Sequence, residues 1–354
     1  MTAQQAASTN TSATSPHEFL VQGLAQTGQL ACLKRIATKY GFTVTSRWGS
    51  TVESLKMTLD NPSSSNPNAT YGNLKRIAVN IITSCNNTYS IDKIANGGDV
   101  KKLATIANFS NFSQHFAAVF PAKLDEDTGL PSVSGHYITA IEDMGNGIAI
   151  IFSYVLLRKI SGSKKMKSNM YPTQFFNTVF IPNDLSRIEY RVDRAVGKRF
   201  IDKAMAELRD NFIGLLRELK ITLNLKSVNF YEAIEDIYND KGYGRVVQAD
   251  FMDITDGDDA QLRCRTNPTY DARECEVNKK NNKKTGVSKY SVCGVAVRFD
   301  YNKKGDVYHN EIGFEPNKAD WLNKKFCGSF YFEQPSDDVT HYGVINDILR
   351  RAKN

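Results

Sequence analysis

Residues 195–219, AVGKRFIDKAMAELRDNFIGLLREL, carry the clearest apolar periodicity in the chain. The apolar side chains recur at spacings of three and four residues, and they are Val196, Phe200, Ala204, Leu208, Phe212, Leu215 and Leu219. This spacing places them along one side of an α-helix, where they can pack against a sheet. The sequence therefore predicts a long helix over Ala195–Leu219 with one buried face.

The segments before this helix have the composition of β-strands. Tyr137–Ile141 and Ile148–Ile160 are rich in β-branched residues, and Asn146-Gly147 between them suits a two-residue hairpin turn. Phe175–Ile181 and Ile188–Val192 predict two further strands. A hairpin followed by two strands therefore leads into the long helix.

The chain after the long helix returns mainly to strands. Ile221–Val228 alternates apolar and polar residues, which predicts a half-buried strand, and Tyr231–Tyr238 predicts a short helix. Further strands are predicted at Arg245–Phe251, Gln261–Arg265, Tyr290–Tyr301, Val307–Phe314 and Phe326–Glu333, and a last helix at Tyr342–Ala352.

The first third of the chain has a mainly helical pattern. Two short helices are predicted within Glu18–Tyr40, before Gly41 as C-cap and a short strand at Phe42–Thr45. Leu74–Cys85 and Val100–Phe120 predict two more helices. Their apolar faces need another surface to cover them.

Together these patterns indicate an α+β fold, in which a helical N-terminal region precedes a mixed, largely antiparallel sheet with one long packed helix. Residues 1–16 contain no charged side chain and predict a disordered tail. The remainder divides into a helical region at 17–123 and an α+β domain at 135–354.

The composition, with 41% hydrophobic and 23% charged residues, is typical of soluble globular proteins. The strongest apolar run, Gly147–Leu157, is shorter than the ~20 residues of a membrane span, so no membrane segment is predicted. The first residues lack the basic and apolar regions of a secretory signal, and a bacterial or viral cytoplasmic protein is expected. The six cysteines lie far apart, without the paired spacing of a zinc site. They are interpreted as buried, reduced thiols, and no metal or other cofactor is predicted.

The positive charge of the chain is concentrated in one segment. The chain has 45 Lys and Arg against 38 Asp and Glu, a net charge of +7. Residues 158–203 contain 11 basic and four acidic residues, so their excess equals that of the whole chain. The basic residues are Arg158, Lys159, Lys164, Lys165, Lys167, Arg187, Arg191, Arg194, Lys198, Arg199 and Lys203.

Three of these cations, Arg194, Lys198 and Arg199, fall in the first turns of the predicted long helix. The N-terminus of a helix already carries about half a positive charge, so acidic residues would be the stabilising choice there. Cations are expected at this place when an anion such as a phosphate completes the site, because free backbone N–H groups point outward. The alternative is a solvated surface in which Asp193, as N-cap, and Asp202 neutralise the cluster.

A second basic element, residues 278–289 (NKKNNKKTGVSK), has the composition of a hairpin tip. Its lysines could track a phosphate backbone, and each phosphate contact makes binding more salt-dependent. The alternative is a loop that protects a sheet edge and aids solubility. The lysines predicted to contact phosphate are Lys279, Lys280, Lys283 and Lys284.

The sequence contains no P-loop, dinucleotide-binding or G-x-S-x-G motif. Metal-dependent nucleases of the restriction type use an Asp followed by Glu-x-Lys to hold Mg²⁺ and polarise a water. The nearest approximation is Asp184 followed by Glu189-Tyr190-Arg191, with a short spacing and with Arg in place of Lys. The alternative is a salt-bridged strand, and whether the chain is an enzyme stays open.

The leading hypothesis is a cytoplasmic nucleic-acid-binding protein of a bacterium or its mobile elements, compatible with a role in antiviral defence. It would contact the phosphates of DNA or RNA through residues 158–203, helped by the 278–289 loop. Sequence preference would be weak, since no helix-turn-helix or zinc finger is recognisable. The alternatives are a metal-dependent nuclease and a protein-interaction component, in which the aromatic helix Phe109–Phe120 docks on a partner or a second copy.

Overall fold

A large antiparallel sheet organises the part of the chain that the computed structural model describes, residues 16–95, 98–124, 130–159, 170–253, 261–265, 270–274, 290–303, 306–334 and 338–353. Neighbouring strands follow the order β2-β3-β4-β5-β1-β11-β10-β9-β7-β8, and β6 pairs with β1. These pairings are antiparallel. The strands are β1 Asn87–Ile94, β2 Gly135–Asp143, β3 Gly147–Lys159, β4 Met170–Pro182, β5 Arg187–Asp193, β6 Leu225–Ser227, β7 Arg245–Asp253, β8 Gln261–Arg265, β9 Tyr290–Lys303, β10 Asp306–Phe314 and β11 Phe330–Glu333.

Helices α1–α4 precede the first strand, and the other helices lie between or after the strands of the sheet. They are α1 Pro16–Gln26, α2 Leu30–Ala37, α3 Trp48–Asp60, α4 Tyr71–Ser84, α5 Gln114–Ala117, α6 Lys198–Glu218, α7 Tyr231–Asn239, α8 Lys318–Lys324 and α9 Asp338–Arg351. Short 3-10 helices lie at Thr38–Tyr40, Val100–Asn108, Arg194–Val196 and Ala272–Glu274. The predicted α+β class, with a helical N-terminal region before the sheet, is therefore confirmed.

The long helix α6 covers one face of the sheet over β3, β4 and β5. Successive strand residues point to opposite faces, so Tyr154 and Tyr190 share this face and are fully buried in one core with Leu208 and Phe212 of α6. The apolar stripe predicted from the sequence is the part of α6 that makes this core. The helix is thereby fixed against the sheet along its length.

The opposite face carries α1–α4, α7 and α9. Val79 and Ile82 of α4 pack on Phe176 of β4, and helices α1–α3 form a second layer on α4. Towards the other end of the sheet, α7 and α9 pack on β7, β9, β10 and β11 in a core that contains Ile234 and Ile348. Within the described part of the chain, no helix combines the length and hydrophobicity that a membrane span requires.

Several local predictions are confirmed, with shifted boundaries. Strands β2 and β3 form the predicted hairpin, but its turn residues are Gly145-Asn146, one position before the predicted Asn146-Gly147, because the backbone N–H of Met144 bonds to the carbonyl oxygen of Gly147. Helices α4 and α7 occupy the predicted helical segments. Helix α6 begins at Lys198, three residues later than predicted. The reason is Gly197, whose φ of 88° separates α6 from the 3-10 turn before it.

Other local predictions are wrong. The segment Val100–Phe120 forms a 3-10 helix to Asn108 and the short α5 instead of one long helix. Leu103 and Ile106, the buried residues of this 3-10 helix, are three residues apart, which suits its three-residue turn. Phe42–Thr45 is not a strand, and only Leu225–Ser227 of the segment Ile221–Val228 pairs with β1.

Strand β1, helix α3 and helix α8 were not predicted. β1 lies between β5 and β11, so the helical N-terminal region supplies a strand to the middle of the sheet. The predicted mixed sheet has only antiparallel pairings among the described strands. The predicted tail, residues 1–16, lies outside the described residues apart from Pro16, which begins α1.

Candidate phosphate site and sheet cleft

The face of the sheet that carries α6 is left open over β1, β11, β10 and β7. A cleft of about 630 Å³ lies there, with α6 as one wall and the segment that contains α8 as the other. We call it the sheet cleft. It is lined by Thr88, Ser90, Arg194, Lys198, Ile201, Asp202, Met205, Ala206, Arg209, Ser227, Asp250, Arg263, Cys293, Gly313, Glu315, Pro316, Asn317, Asp320, Phe326, Cys327, Gly328, Ser329, Phe330 and Tyr331.

The floor of the sheet cleft is polar because of the alternation in β1. Tyr89 and Ile91 point to the opposite face and are fully buried there. Thr88 and Ser90 point into the sheet cleft instead. Small hydroxyl side chains leave room above the sheet, where a larger apolar residue would have required a covering helix.

Two buried carboxylates of the cleft region are held by arginines. Asp250, with 4% of its side chain exposed, accepts two hydrogen bonds of 2.7 Å from Nε and Nη2 of Arg263. Asp92, beside the floor, accepts a 2.9 Å bond from Nη2 of Arg209 and a 2.7 Å bond from Ser227. Such charge-assisted pairs are geometrically specific. They fix the floor and leave four basic and four acidic side chains in the cleft lining.

Arg194 is placed by an aromatic ring at the edge of the sheet cleft. Its guanidinium carbon lies 3.9 Å from the centre of the Tyr331 ring, and it also bonds to Glu333. The same ring lies against Gly313, where an added Cβ would overlap it. The Tyr331 hydroxyl donates a 3.0 Å bond to Glu311, and burial raises its pKa. Arg194 therefore has a structural role beside the cleft.

The N-terminus of α6 carries three exposed cations, one of which, Lys198, lines the sheet cleft. Lys198, Arg199 and Lys203 lie in its first two turns. The N-cap residue Gly197 has no side chain to accept a hydrogen bond from the first turn. Asp193, predicted as the N-cap of the long helix, instead accepts a 2.9 Å bond from the backbone N–H of Ala195 and caps the preceding 3-10 turn.

Two of these cations have carboxylate neighbours on the surface. Lys198, with 78% of its side chain exposed, lies 2.6 Å from Glu315. Burial raises the pKa of Glu315, but the hydrogen bond and charge of Lys198, together with the charges of Arg194 and Arg263, lower it overall. Lys203, with 63% of its side chain exposed, lies 3.6 Å from Glu207 one turn along the helix. Exposed ion pairs of this kind are worth about 0–1 kcal/mol.

Arg158 connects the end of β3 to the start of α6. Its Nη2 donates to the carbonyl oxygens of Ala195 at 2.8 Å and Val196 at 3.0 Å, and its guanidinium lies over the Phe175 ring. The first and last parts of the basic segment 158–203 are therefore brought together. Arg158 positions the turn that precedes the exposed cations.

Arg187 and Arg191 lie inside the protein, not on its surface. Their side chains are 4% and 5% exposed, and they flank the fully buried carboxylate of Glu189. Arg191 also donates to the carbonyl oxygen of Thr83 at 3.0 Å and lies over the Phe180 ring. In this arrangement both guanidinium groups belong to the core, so we leave them out of the candidate surface.

The remaining predicted cations fall largely outside the described residues. Lys159 ends β3, and its side chain is not among the described ones. Lys164, Lys165, Lys167, Lys279, Lys280, Lys283 and Lys284 also lie outside the described residues. Their role in phosphate binding stays a prediction.

The carboxylates of the nuclease hypothesis are already engaged. Both oxygens of Glu189 accept hydrogen bonds from the two arginines. Asp184 lies in the turn between β4 and β5, where it accepts bonds of 3.0 Å and 2.7 Å from the backbone and side chain of Ser186. A search of the described residues found no group of three or more His, Cys, Asp or Glu that could hold a metal ion.

The aromatic segment Phe109–Phe120 packs partly on its own sheet. Phe116 is buried against Tyr137 of β2, and Phe120 makes an edge contact with Phe176 of β4. Phe109 and Phe112 contact each other and are half-buried. The aromatic residues proposed to dock on a partner therefore largely pack against other residues of the same chain.

Comparisons of the chain with protein-family models, with curated proteins and with solved structures found no match. The floor of the sheet cleft was missed at the sequence level. Its signal was present in NTYSIDKI, residues 87–94, where Tyr89 and Ile91 alternate with Ser90 and Asp92. That pattern is typical of a strand with one polar face.

Proposed function

We propose that this protein binds nucleic acid through the phosphate backbone at the N-terminal end of α6. The observation that carries the proposal is the coincidence of Lys198, Arg199 and Lys203 with a helix N-terminus whose cap residue has no side chain. The helix dipole and the three cations attract the same kind of ligand, an anion. A phosphate bound there would satisfy both.

The carboxylates beside these cations can be replaced by a phosphate. The ion pairs of Lys198 and Lys203 are exposed and weak, so a phosphate can replace the carboxylates at little cost. Arg158 and Arg194 hold the turn before the helix through backbone and aromatic contacts. The cations are thereby presented from a fixed scaffold.

The proposed surface is smaller than the basic segment predicted from the sequence. It contains the three α6 cations, while the lysines of residues 160–169 and 278–289 are proposed as additional contacts. Weak sequence preference, a cytoplasmic location and a place in bacterial or mobile-element biology, including defence, belong to the same proposal. They rest on the sequence alone.

The test is the salt dependence of binding to labelled DNA duplex, single-stranded DNA and RNA. Each neutralised phosphate of duplex DNA contributes about −0.9 to the slope of log K against log salt concentration. Three contacts contribute about −2.7, which is an affinity loss of about 40-fold between 50 and 200 mM salt. The variant Lys198→Gln/Arg199→Gln/Lys203→Gln is expected to flatten the slope by that amount.

The matched control removes three exposed cations from the C-terminal end of α6, from the residues that follow it and from β6. Arg217→Gln/Lys220→Gln/Lys226→Gln changes the net charge equally, and all three positions are exposed. Equal losses in the two triple variants would show that only net charge matters. Binding of the wild-type protein that ignores salt concentration would refute phosphate recognition.

A further inference from the structure

The sheet cleft has apolar side chains on both of its walls. Ile201 and Met205 line it from α6, and Pro316 and Phe326 line it from the opposite segment. Its volume of about 630 Å³ falls within the range of about 300–1,000 Å³ that is usual for sites of small organic ligands. A flat ring system between these walls would remove apolar surface from water on both of its faces. The cleft therefore suits a planar ligand.

The aromatic side chain of the cleft is carried by a fixed backbone. The side chain of Asn229 donates a 2.8 Å bond to the carbonyl oxygen of Lys325 and accepts a 2.9 Å bond from the backbone N–H of Cys327. The ring of Phe326, between these two residues, lies against Gly328, where an added Cβ would come within 2.8 Å of it. A stacking surface that is already in place reduces the entropy cost of binding a ring.

The floor of the sheet cleft offers hydroxyl groups that have no partner. Thr88 lines the cleft and is only 7% exposed, yet its hydroxyl makes no hydrogen bond to another described residue. The hydroxyl of Ser329, also in the lining, makes none within the same part of the chain. Buried polar side chains are normally hydrogen-bonded, and a hydroxyl can both donate and accept. The floor therefore suits a ring whose edge carries donors and acceptors, which is the chemistry of a nucleobase.

One side chain joins this cleft to the proposed phosphate site. Lys198 is the first residue of α6, and it also lines the sheet cleft. A single sugar connects the phosphate and the base of a nucleotide, so a phosphate on Lys198 brings its base to the cleft. A base within a duplex is paired at its edge and stacked on both faces, and it is not free to enter.

We propose that the sheet cleft binds one unpaired base of a single-stranded nucleic acid, with the base between the apolar walls and its phosphate on Lys198. The hydroxyls of Thr88 and Ser329 contact the edge of the base. This inference rests on the proposed function, because the phosphate contacts bring the strand to the cleft. It adds that the preferred ligand is single-stranded.

The test compares a single-stranded oligonucleotide with an abasic strand of the same length, titrated against the full-length protein at the same salt concentrations. The abasic strand keeps the phosphates and lacks the bases. Stacking of one base corresponds to an affinity difference of about 5- to 150-fold, so the wild-type protein should bind the normal strand more tightly by that factor. The salt slopes of the two strands should be equal, because the phosphate contacts are the same.

Two variants and a matched control locate the base. Phe326→Ala removes the aromatic wall, and Ala206→Trp fills the cleft from an exposed position of α6 that lines it. Both should remove most of the difference between the two strands and leave the affinity for the abasic strand unchanged. Asn211→Trp places the same side chain at an exposed position of α6 outside the cleft lining, and it should keep the difference. Ala206→Trp decides if Phe326→Ala fails to fold.

The outcomes separate this inference from the proposed function. Salt-dependent binding with equal affinity for the two strands would overturn the base site and leave the phosphate site in place. A preference for the normal strand that survives Ala206→Trp would also overturn it, since the base would then lie outside the sheet cleft. Absence of binding to either strand at low salt would refute the proposed function and this inference with it.

Discussion

Replacing Glu189 with Gln is expected to destabilise the protein by about 3–5 kcal/mol, because it leaves two buried guanidinium groups without a counter-charge. Glu189 is fully buried, and its oxygens accept bonds of 2.7 Å from Nε of Arg187, and of 3.1 Å and 2.7 Å from Nε and Nη2 of Arg191. Glutamine has nearly the same shape as glutamate. The substitution therefore removes the charge and leaves the packing in place.

The size of the effect on the melting temperature follows from the length of the chain. Unfolding entropy is about 2.1 cal/mol/K per residue, which for 354 residues is about 0.74 kcal/mol/K. A loss of about 3–5 kcal/mol then lowers the Tm by about 4–7 °C. Thermal unfolding followed by circular dichroism, at matched protein concentration and pH, measures this difference directly.

An apolar replacement of the whole triad separates the charge from the packing. Arg187→Met/Glu189→Leu/Arg191→Met removes all three charges together, and such replacements of buried ion clusters are often neutral or stabilising. The triple variant should regain most of the Tm that Glu189→Gln loses. The part that it does not regain corresponds to the lost hydrogen bond from Arg191 to the carbonyl oxygen of Thr83. A Glu189→Gln variant with the wild-type Tm, but with a loss of Mg²⁺-dependent cleavage of nucleic acid, would refute the structural role and support the nuclease hypothesis.

Three further predictions concern the sheet cleft, the buried His136 and the phosphate site. Gly313→Ala places a methyl group in the ring that lies over it and should cost about 1–3 kcal/mol in denaturant unfolding. Gly214→Ala, on α6 with no heavy atom within 4 Å of the new Cβ, should instead gain about 0.5–1 kcal/mol; equal effects at the two glycines would contradict the packing described. Burial lowers the pKa of His136 to about 3. Below pH 6.5 the unfolded chain therefore binds a proton that the folded chain does not, and the free energy of unfolding decreases as the pH decreases. The loss from this residue is about 2 kcal/mol by pH 5, and urea unfolding of His136→Gln at pH 7 and 5 should show a flatter pH dependence than wild type, not a parallel one. Glu315→Gln removes the carboxylate beside Lys198 and should raise affinity for DNA by about 1.5- to 5-fold in the binding titration, the equivalent of about 0.2–1 kcal/mol; a weaker affinity would place the ligand elsewhere.

Local periodicity was sufficient to predict the helices and strands that are defined by residues close together in the sequence. The stripe of α6 is encoded within a few helical turns, and the hairpin of β2 and β3 within two neighbouring strands, so both could be predicted. β1 could not be placed in this way. Its partners in the sheet are β5, about 100 residues later, and β11, about 240 residues later, and nothing in residues 87–94 identifies them.

The charge map shows the same limit at the candidate site. A count of cations over residues 158–203 treats Arg191 and Lys198 alike, although the first is buried and the second is exposed. The sequence did contain a distinguishing signal. Arg187, Glu189 and Arg191 alternate with Ile188, Tyr190 and Val192, which is the spacing of a strand with one charged and one apolar face. On the charged face the anion stands between two cations, and this arrangement indicates ion pairs within the strand.

The sheet cleft depends on parts of the chain that no local pattern connects. Its floor comes from β1, one wall from α6 and the other from residues 315–328. The cleft exists because α6 covers only one end of its face, while the strands at the other end place Thr88, Ser90 and Gly313 towards the open side. Lys198 lies at the junction, since it belongs to α6 and pairs with Glu315 of the opposite wall. An anion that binds at the start of α6 must therefore displace a contact across the cleft, so binding there should loosen one wall from the other.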